Sequence, residues 1–123
     1  MIEYSYKTIH SLSHTKYRKN YNKFLIEGKR IVESALVCNA NIDIIFCSDD
    51  FLKENKSWVR KHLKKHATIK TIEKKTLLKI SNTKSPQEIL AVCDIPKQEP
   101  IKLTMDKWIY LDKISDPGNM GTL

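Results

Sequence analysis

Long apolar runs are missing from this sequence. No stretch approaches the roughly 20 apolar residues that span a bilayer. The opening Met1-Ile2-Glu3-Tyr4-Ser5-Tyr6-Lys7 has no apolar core of signal-peptide type. Both absences predict a cytoplasmic protein with no membrane partner. Cysteine is scarce as well: Cys38, Cys47 and Cys93 are odd in number and form no C-x-x-C pair. Each lies in an apolar run, where a free thiol behaves as a small buried hydrophobe, so reduced core cysteines are expected rather than a disulfide or metal site. Internal repeats and low-complexity tracts are absent too.

What the chain does have is positive charge. Its 123 residues carry a net charge of +8, with 41% hydrophobic residues, enough for one ordinary core plus a remnant. A basic surface raises encounter rates with polyanions and binds phosphates through counterion release. Charge alone does not separate a nucleic-acid binder from any other basic protein.

Periodicity predicts alternating elements. A polar, basic helix is expected from about Thr8 to Asn20, and Phe24-Leu25-Ile26 is a short strand ended by Glu27-Gly28. Ile31, Val32, Ala35, Leu36 and Cys38 recur at helical spacing, giving an amphipathic helix from about Lys29 to Asn39. Ile42 to Cys47 is almost continuously apolar, as a strand covered on both faces should be, and Ser48 is placed to cap the next helix. Ser57 to His66 predicts a basic helix with Val59 and Leu63 inward. Thr68 to Ile72 predicts a strand, Glu73 to Ile80 a helix, and Ile89 to Ile95 the last strand. The order means α/β with helices on both faces of a sheet. The domain is expected over 1–95, an extended Pro-containing linker over 96–105, and the start of a second, incomplete domain over 106–123.

The most specific pattern lies near the end. The run Ile109-Tyr110-Leu111-Asp112-Lys113-Ile114-Ser115-Asp116-Pro117-Gly118-Asn119-Met120-Gly121 is an apolar strand feeding an Asp-Pro-Gly-Asn-x-Gly turn. Pro117 fixes φ, Gly118 and Gly121 permit backbone angles closed to other residues, and Asn119 presents an amide at the carboxyl end of the strand. In open α/β sheets, that is where ligands and chemistry sit.

This segment resembles the first motif of the SpoU/TrmH family of RNA ribose 2′-O-methyltransferases, within the knotted SPOUT superfamily. Phe24-Leu25-Ile26-Glu27-Gly28-Lys29-Arg30-Ile31-Val32-Glu33-Ser34-Ala35-Leu36 is similar to the opening of that family's amino-terminal substrate-binding domain, and Ser81 to Val92 to its end. At Glu88 the family commonly has glycine. The resemblance implies a three-layer α/β/α sandwich like the kink-turn-binding ribosomal proteins, then a linker and the first strand of an incomplete SPOUT trefoil-knot domain. It implies a parent enzyme that transfers a methyl group from S-adenosylmethionine to a ribose 2′-hydroxyl, with rRNA ahead of tRNA as substrate, working as a homodimer through its catalytic domain. For this chain it implies an RNA-binding arm, inactive alone, with no cofactor site. The alternative is a non-catalytic RNA-binding protein of the kink-turn type.

Asn119 is the catalytic candidate. The resemblance assigns it to positioning an arginine, beyond the chain end, that helps activate the 2′-hydroxyl; its residue type also suits a plain turn. Lys16, Arg18, Lys19 and Lys23, with Tyr17 and Tyr21 interleaved, are candidate phosphate contacts with aromatic surfaces for unpaired bases, and the loop from Ser81 to Gln87 adds Lys84. Glu27, at a strand end before Gly28, reads as a structural hydrogen-bonding residue. His62 and His66, like His10 and His14, stand four apart, but no acidic residue or cysteine completes a metal set, so a solvated basic face is expected.

Overall fold

A computed structural model describes residues 4–63, 68–81, 86–97, 107 and 109–121, with Pro117 and Asn119 described by backbone alone. Four strands form one mixed sheet: β1 (Lys23–Glu27), β2 (Ile42–Cys47), β3 (Thr68–Thr71) and β4 (Ile89–Asp94), in the order β1-β4-β2-β3. The last strand is inserted between the first two and runs antiparallel to both, while β3 joins the edge parallel to β2. Lys23 stands opposite Asp94, and Ile45 opposite Ala91.

Alternation along β4, and along β2 from Ile44 past an irregularity at Ile42–Ile44, makes two cores, one on each face. Ile45, Cys47, Ile89, Ala91 and Cys93 face one way and meet Val32 and Leu36 of α3 (Lys29–Val37), Phe51 of α4 (Asp49–Glu54), Trp58 of α5 (Lys56–His62), and Leu63. Ile44, Phe46, Leu90 and Val92 face the other way and meet Ile9 of α1 (Tyr6–Ser11), Leu12, and Leu77 and Ile80 of α6 (Lys74–Ile80). The three-layer α/β arrangement is therefore present. It follows from the central strands being apolar on both faces.

Local signals set the boundaries. Ser5 Oγ caps α1 by accepting from the Thr8 N–H, and Ser48 Oγ caps α4 by accepting from the Phe51 N–H at 2.9 Å. Gly28 has φ 102°, a left-handed angle, and lets the chain turn from β1 straight into α3. Glu88, where glycine was the expected residue, takes the Ser48 hydroxyl proton in a hydrogen bond and pairs with Lys74, so it ties α4, α6 and the start of β4 together.

Several expectations need correction. The basic helix from Thr8 to Asn20 is two helices, α1 and α2 (Thr15–Tyr21), broken at Leu12–His14. Cys38 is exposed at the end of α3, while Cys47 and Cys93 are buried as expected. Burial pushes the Cys47 and Cys93 thiols up to about 11. Ile109 to Leu111 does not form a strand: Ile109 and Tyr110 are more than four-fifths exposed, and no described strand pairs with them. An apolar run cannot hold a strand conformation without a neighbour to complete its ladder. Trp108, Lys84 and His66 lie outside the described residues.

Candidate nucleic-acid interface

The candidate surface is built from α1, α2 and the turn between them. Ile9 and Leu12 anchor α1 to the sheet, whereas α2 buries none of its residues. Arg18 holds the break open. Its NH1 donates to the Leu12 and Ser13 carbonyls at 3.2 and 2.7 Å, and its NH2 donates to Thr15 Oγ1 at 2.8 Å. These bonds satisfy carbonyls that the end of α1 leaves without helical partners. Arg18 is thus a turn-stabilising residue first, which narrows its expected role as a phosphate contact.

Lys23 departs further from expectation. Its ammonium bridges Asp43, at 2.8 Å, and Asp94, while Tyr4 donates to Asp43 and Asn41 to Asp94. Burial alone would lower the Lys23 pKa, but hydrogen bonds to the two carboxylates hold it above the usual lysine range. The same bonds from Lys23 and Tyr4 hold the Asp43 carboxyl below its usual range. Burial and Asp43 together push the Tyr4 phenol up. Lys23 is a sheet-locking ion, already neutralised twice, and not an open phosphate contact.

Lys16 and Lys19 are both exposed on α2, with no ion pair among the described residues. The rings around them are paired. Tyr17 and Tyr21 stack at 6.4 Å with 18° between planes, His14 meets Tyr17 edge-on, and Tyr6 stacks on His10 at 6.0 Å. Spacings of four residues at Tyr6/His10 and Tyr17/Tyr21 could have announced both stacks; the first pair escaped the sequence reading because the expected helix began at about Thr8, after Tyr6.

Two other expected sites resolve differently. Glu27 accepts at one oxygen from Ser81 Oγ (2.7 Å) and the Gln87 N–H (2.9 Å), tying Ser81 and Gln87 to the end of β1. Its role is structural, as anticipated. His62, read as part of a solvated face, instead lies against Trp58 and 3.5 Å from Glu33, its side chain only 10% exposed. Trp58 Nε1 donates to Glu33 at 2.7 Å and holds that carboxyl below its usual range, tying α5 to α3.

At the far end, Asp116 opens α7 (Pro117–Gly121): its carboxylate accepts from the Gly118 N–H at 2.6 Å, and its carbonyl from the Met120 N–H. Among described glycines Gly28 alone has positive φ, so Gly118 and Gly121 do not use the angles that their residue type permits. A Cβ at Gly118 would lie 3.0 Å from the Asp116 carboxylate, which is what a small residue spares here. Asn119 sits in this turn of helix. Residues 109–116 are all exposed. A bound nucleoside needs most of its surface covered, so these residues do not by themselves fit S-adenosylmethionine.

The architecture can be placed by comparison. Residues 5–91 match the model of the MRM3-like substrate binding domain. The chain belongs to that family. This MRM3-like substrate-binding domain is 31% identical over 111 residues to the 23S rRNA (guanosine(2553)-2′-O)-methyltransferase RlmP of Bacillus subtilis, covering 89% of this chain and 42% of that protein. The chain therefore spans less than half the length of that relative. Its fold matches the SpoU methyltransferase AviRb of Streptomyces viridochromogenes, solved with AdoMet, at TM-score 0.67 and 17% identity, over 82% of this chain and 40% of that one. It also matches an AdoMet-bound rRNA methyltransferase of Sinorhizobium meliloti at TM-score 0.56 and 17% identity, over 76% and 34% of the two chains.

Proposed function

We propose that this chain is the RNA-binding arm of an S-adenosylmethionine-dependent methyltransferase that modifies a ribose 2′-hydroxyl, with ribosomal RNA ahead of transfer RNA as substrate. The observation that carries the reading is the substrate-binding-domain match over 5–91, joined to the similarity with an rRNA 2′-O-methyltransferase over 89% of the chain. The similarity favours an enzyme over a free-standing RNA-binding protein of the kink-turn type. In this reading residues 1–95 bind RNA, 96–105 link, and 106–123 begin the catalytic domain. The whole enzyme works as a cytoplasmic homodimer through that domain.

The chemistry divides accordingly. S-adenosylmethionine, when bound to the whole enzyme, supplies an electrophilic methyl group. The residues of this chain bind and orient the RNA: Lys16 and Lys19 offer ammonium groups to phosphates, and Arg18 contributes what its three internal hydrogen bonds leave available. Lys84 extends the set. Asn119 positions the group that helps activate the ribose hydroxyl, an alcohol that is a weak nucleophile until its proton is taken.

The test compares the 123-residue chain with the whole enzyme. The chain should bind a 23S rRNA fragment yet show no calorimetric heat with S-adenosylmethionine and no methyl transfer; the whole enzyme should show all three. In the whole enzyme Asn119→Ala should lower turnover far more than cofactor affinity. Methyl transfer by the 123-residue chain would overturn this division of labour.

A further inference from the structure

Between Glu3 and Glu27 the sequence contains no Asp or Glu, while Lys7, Lys16, Arg18, Lys19 and Lys23 all fall there. That segment is α1, α2 and the start of β1. Two of its cations are spent internally, Arg18 on carbonyls and Lys23 on Asp43 and Asp94. What reaches solvent on α2 is therefore a particular combination: Lys16, Lys19, and the stacked Tyr17–Tyr21 pair, with the two rings 39% and 37% exposed. No residue of α2 is fully buried, and each of the two tyrosines keeps more than a third of its surface in water, so packing within the domain does not use up these large aromatic rings. Their contact with each other stabilises the helix by a few tenths of a kcal/mol at most, and it still leaves each ring substantially in water.

We propose that the Tyr17–Tyr21 pair is a stacking platform for unpaired RNA bases, with the exposed Lys16 and Lys19 of the same helix available to phosphates. The proposal rests on the RNA-binding reading above and names the kind of RNA that this face takes. Base-paired RNA presents phosphates and 2′-hydroxyls but keeps its base faces inside the helix, so it can use the lysines and not the tyrosines. A loop, bulge or single strand offers both. Each base has a π-face, so the platform confers preference for unpaired structure with little sequence preference. The absence of carboxylates over the whole segment matches a polyanion.

The experiment measures affinity of the 123-residue chain, at one fixed salt concentration, for a single-stranded RNA dodecamer and for the blunt duplex of the same sequence. Polyglutamate serves as competitor. The expected result is tighter binding to the single strand, and a loss of about tenfold or more on that strand in the Tyr17→Ala/Tyr21→Ala chain. Duplex affinity should stay unchanged. Tyr17→Phe/Tyr21→Phe should bind as the parent does. Tyr17→Leu/Tyr21→Leu, which keeps apolar bulk in the helix, should fail as the alanine pair does, and unchanged circular dichroism should accompany it. Equal losses on strand and duplex, or no loss at all, would each overturn the platform while leaving RNA binding standing. Displacement by polyglutamate as effective as by RNA, or no RNA binding by the unsubstituted chain, would remove both readings together.

Discussion

At the residue scale, cations that look alike in the sequence do different work. Lys23 joins two carboxylates on neighbouring strands, and its replacement by methionine should destabilise the domain by about 1–3 kcal/mol, read by urea unfolding. The pH dependence follows from the shifted groups. Asp43 is held below its usual range, so its contribution is present above the unfolded carboxyl value near 4 and fades as pH falls through the lower folded value. Lys23 is held above its usual range, so its contribution is present below the unfolded value of about 10.4 and fades as pH rises through the higher folded value. The unfolding midpoint should plateau between these limits, and Lys23→Met should lower the plateau and blunt both flanks. A parallel profile in the variant would mean the network contributes nothing. Arg18→Ala should cost about 1 kcal/mol by freeing the Leu12 and Ser13 carbonyls, with no rescue by lysine, whose single ammonium cannot reproduce the fork.

At the scale of elements, the strands were the most legible part. Ile42 to Cys47 and Ile89 to Ile95 announced central strands because both faces of each are covered, and the structure places them side by side. The break at Leu12–His14 was not legible. It depends on a guanidinium reaching back to carbonyls five and six residues earlier, and residue spacing alone carries no such signal. The burial of Trp58 was also missed, since it requires α5 to lean on Phe51 and Glu33. Strand order was out of reach because insertion of β4 between β1 and β2 is a long-range choice. The two cores should respond alike to truncation. Leu77→Ala and Val32→Ala remove fully buried side chains on opposite faces of the sheet. Leu77→Ala should cost about 2–5 kcal/mol. Val32→Ala should cost less, because fewer buried methyl groups are removed, and a loss below a few tenths there would show that α3 does not cover its face.

At the scale of the molecule, a two-faced α/β domain carries a basic segment, residues 4–26, with no carboxylate of its own. The segment from Leu111 to Gly121 resembles a family signature, yet its geometry was not legible: among the described residues no strand pairs with 109–111, and residues 109–116 are exposed. The candidate interface was half legible: composition pointed to α2, but only the structure separates Lys16 and Lys19, which face solvent, from Arg18 and Lys23, which are engaged within the fold. That separation can be measured. Affinity for a 23S rRNA fragment should fall with salt by about 0.7–0.9 log units per log unit for each phosphate neutralised. Lys16→Ala/Lys19→Ala should flatten that slope by up to about two contacts, whereas Lys23→Met, in the folded chain, should leave it unchanged. An unchanged slope in the double variant, or RNA binding no tighter than heparin binding, would contradict the assignment of this face to RNA.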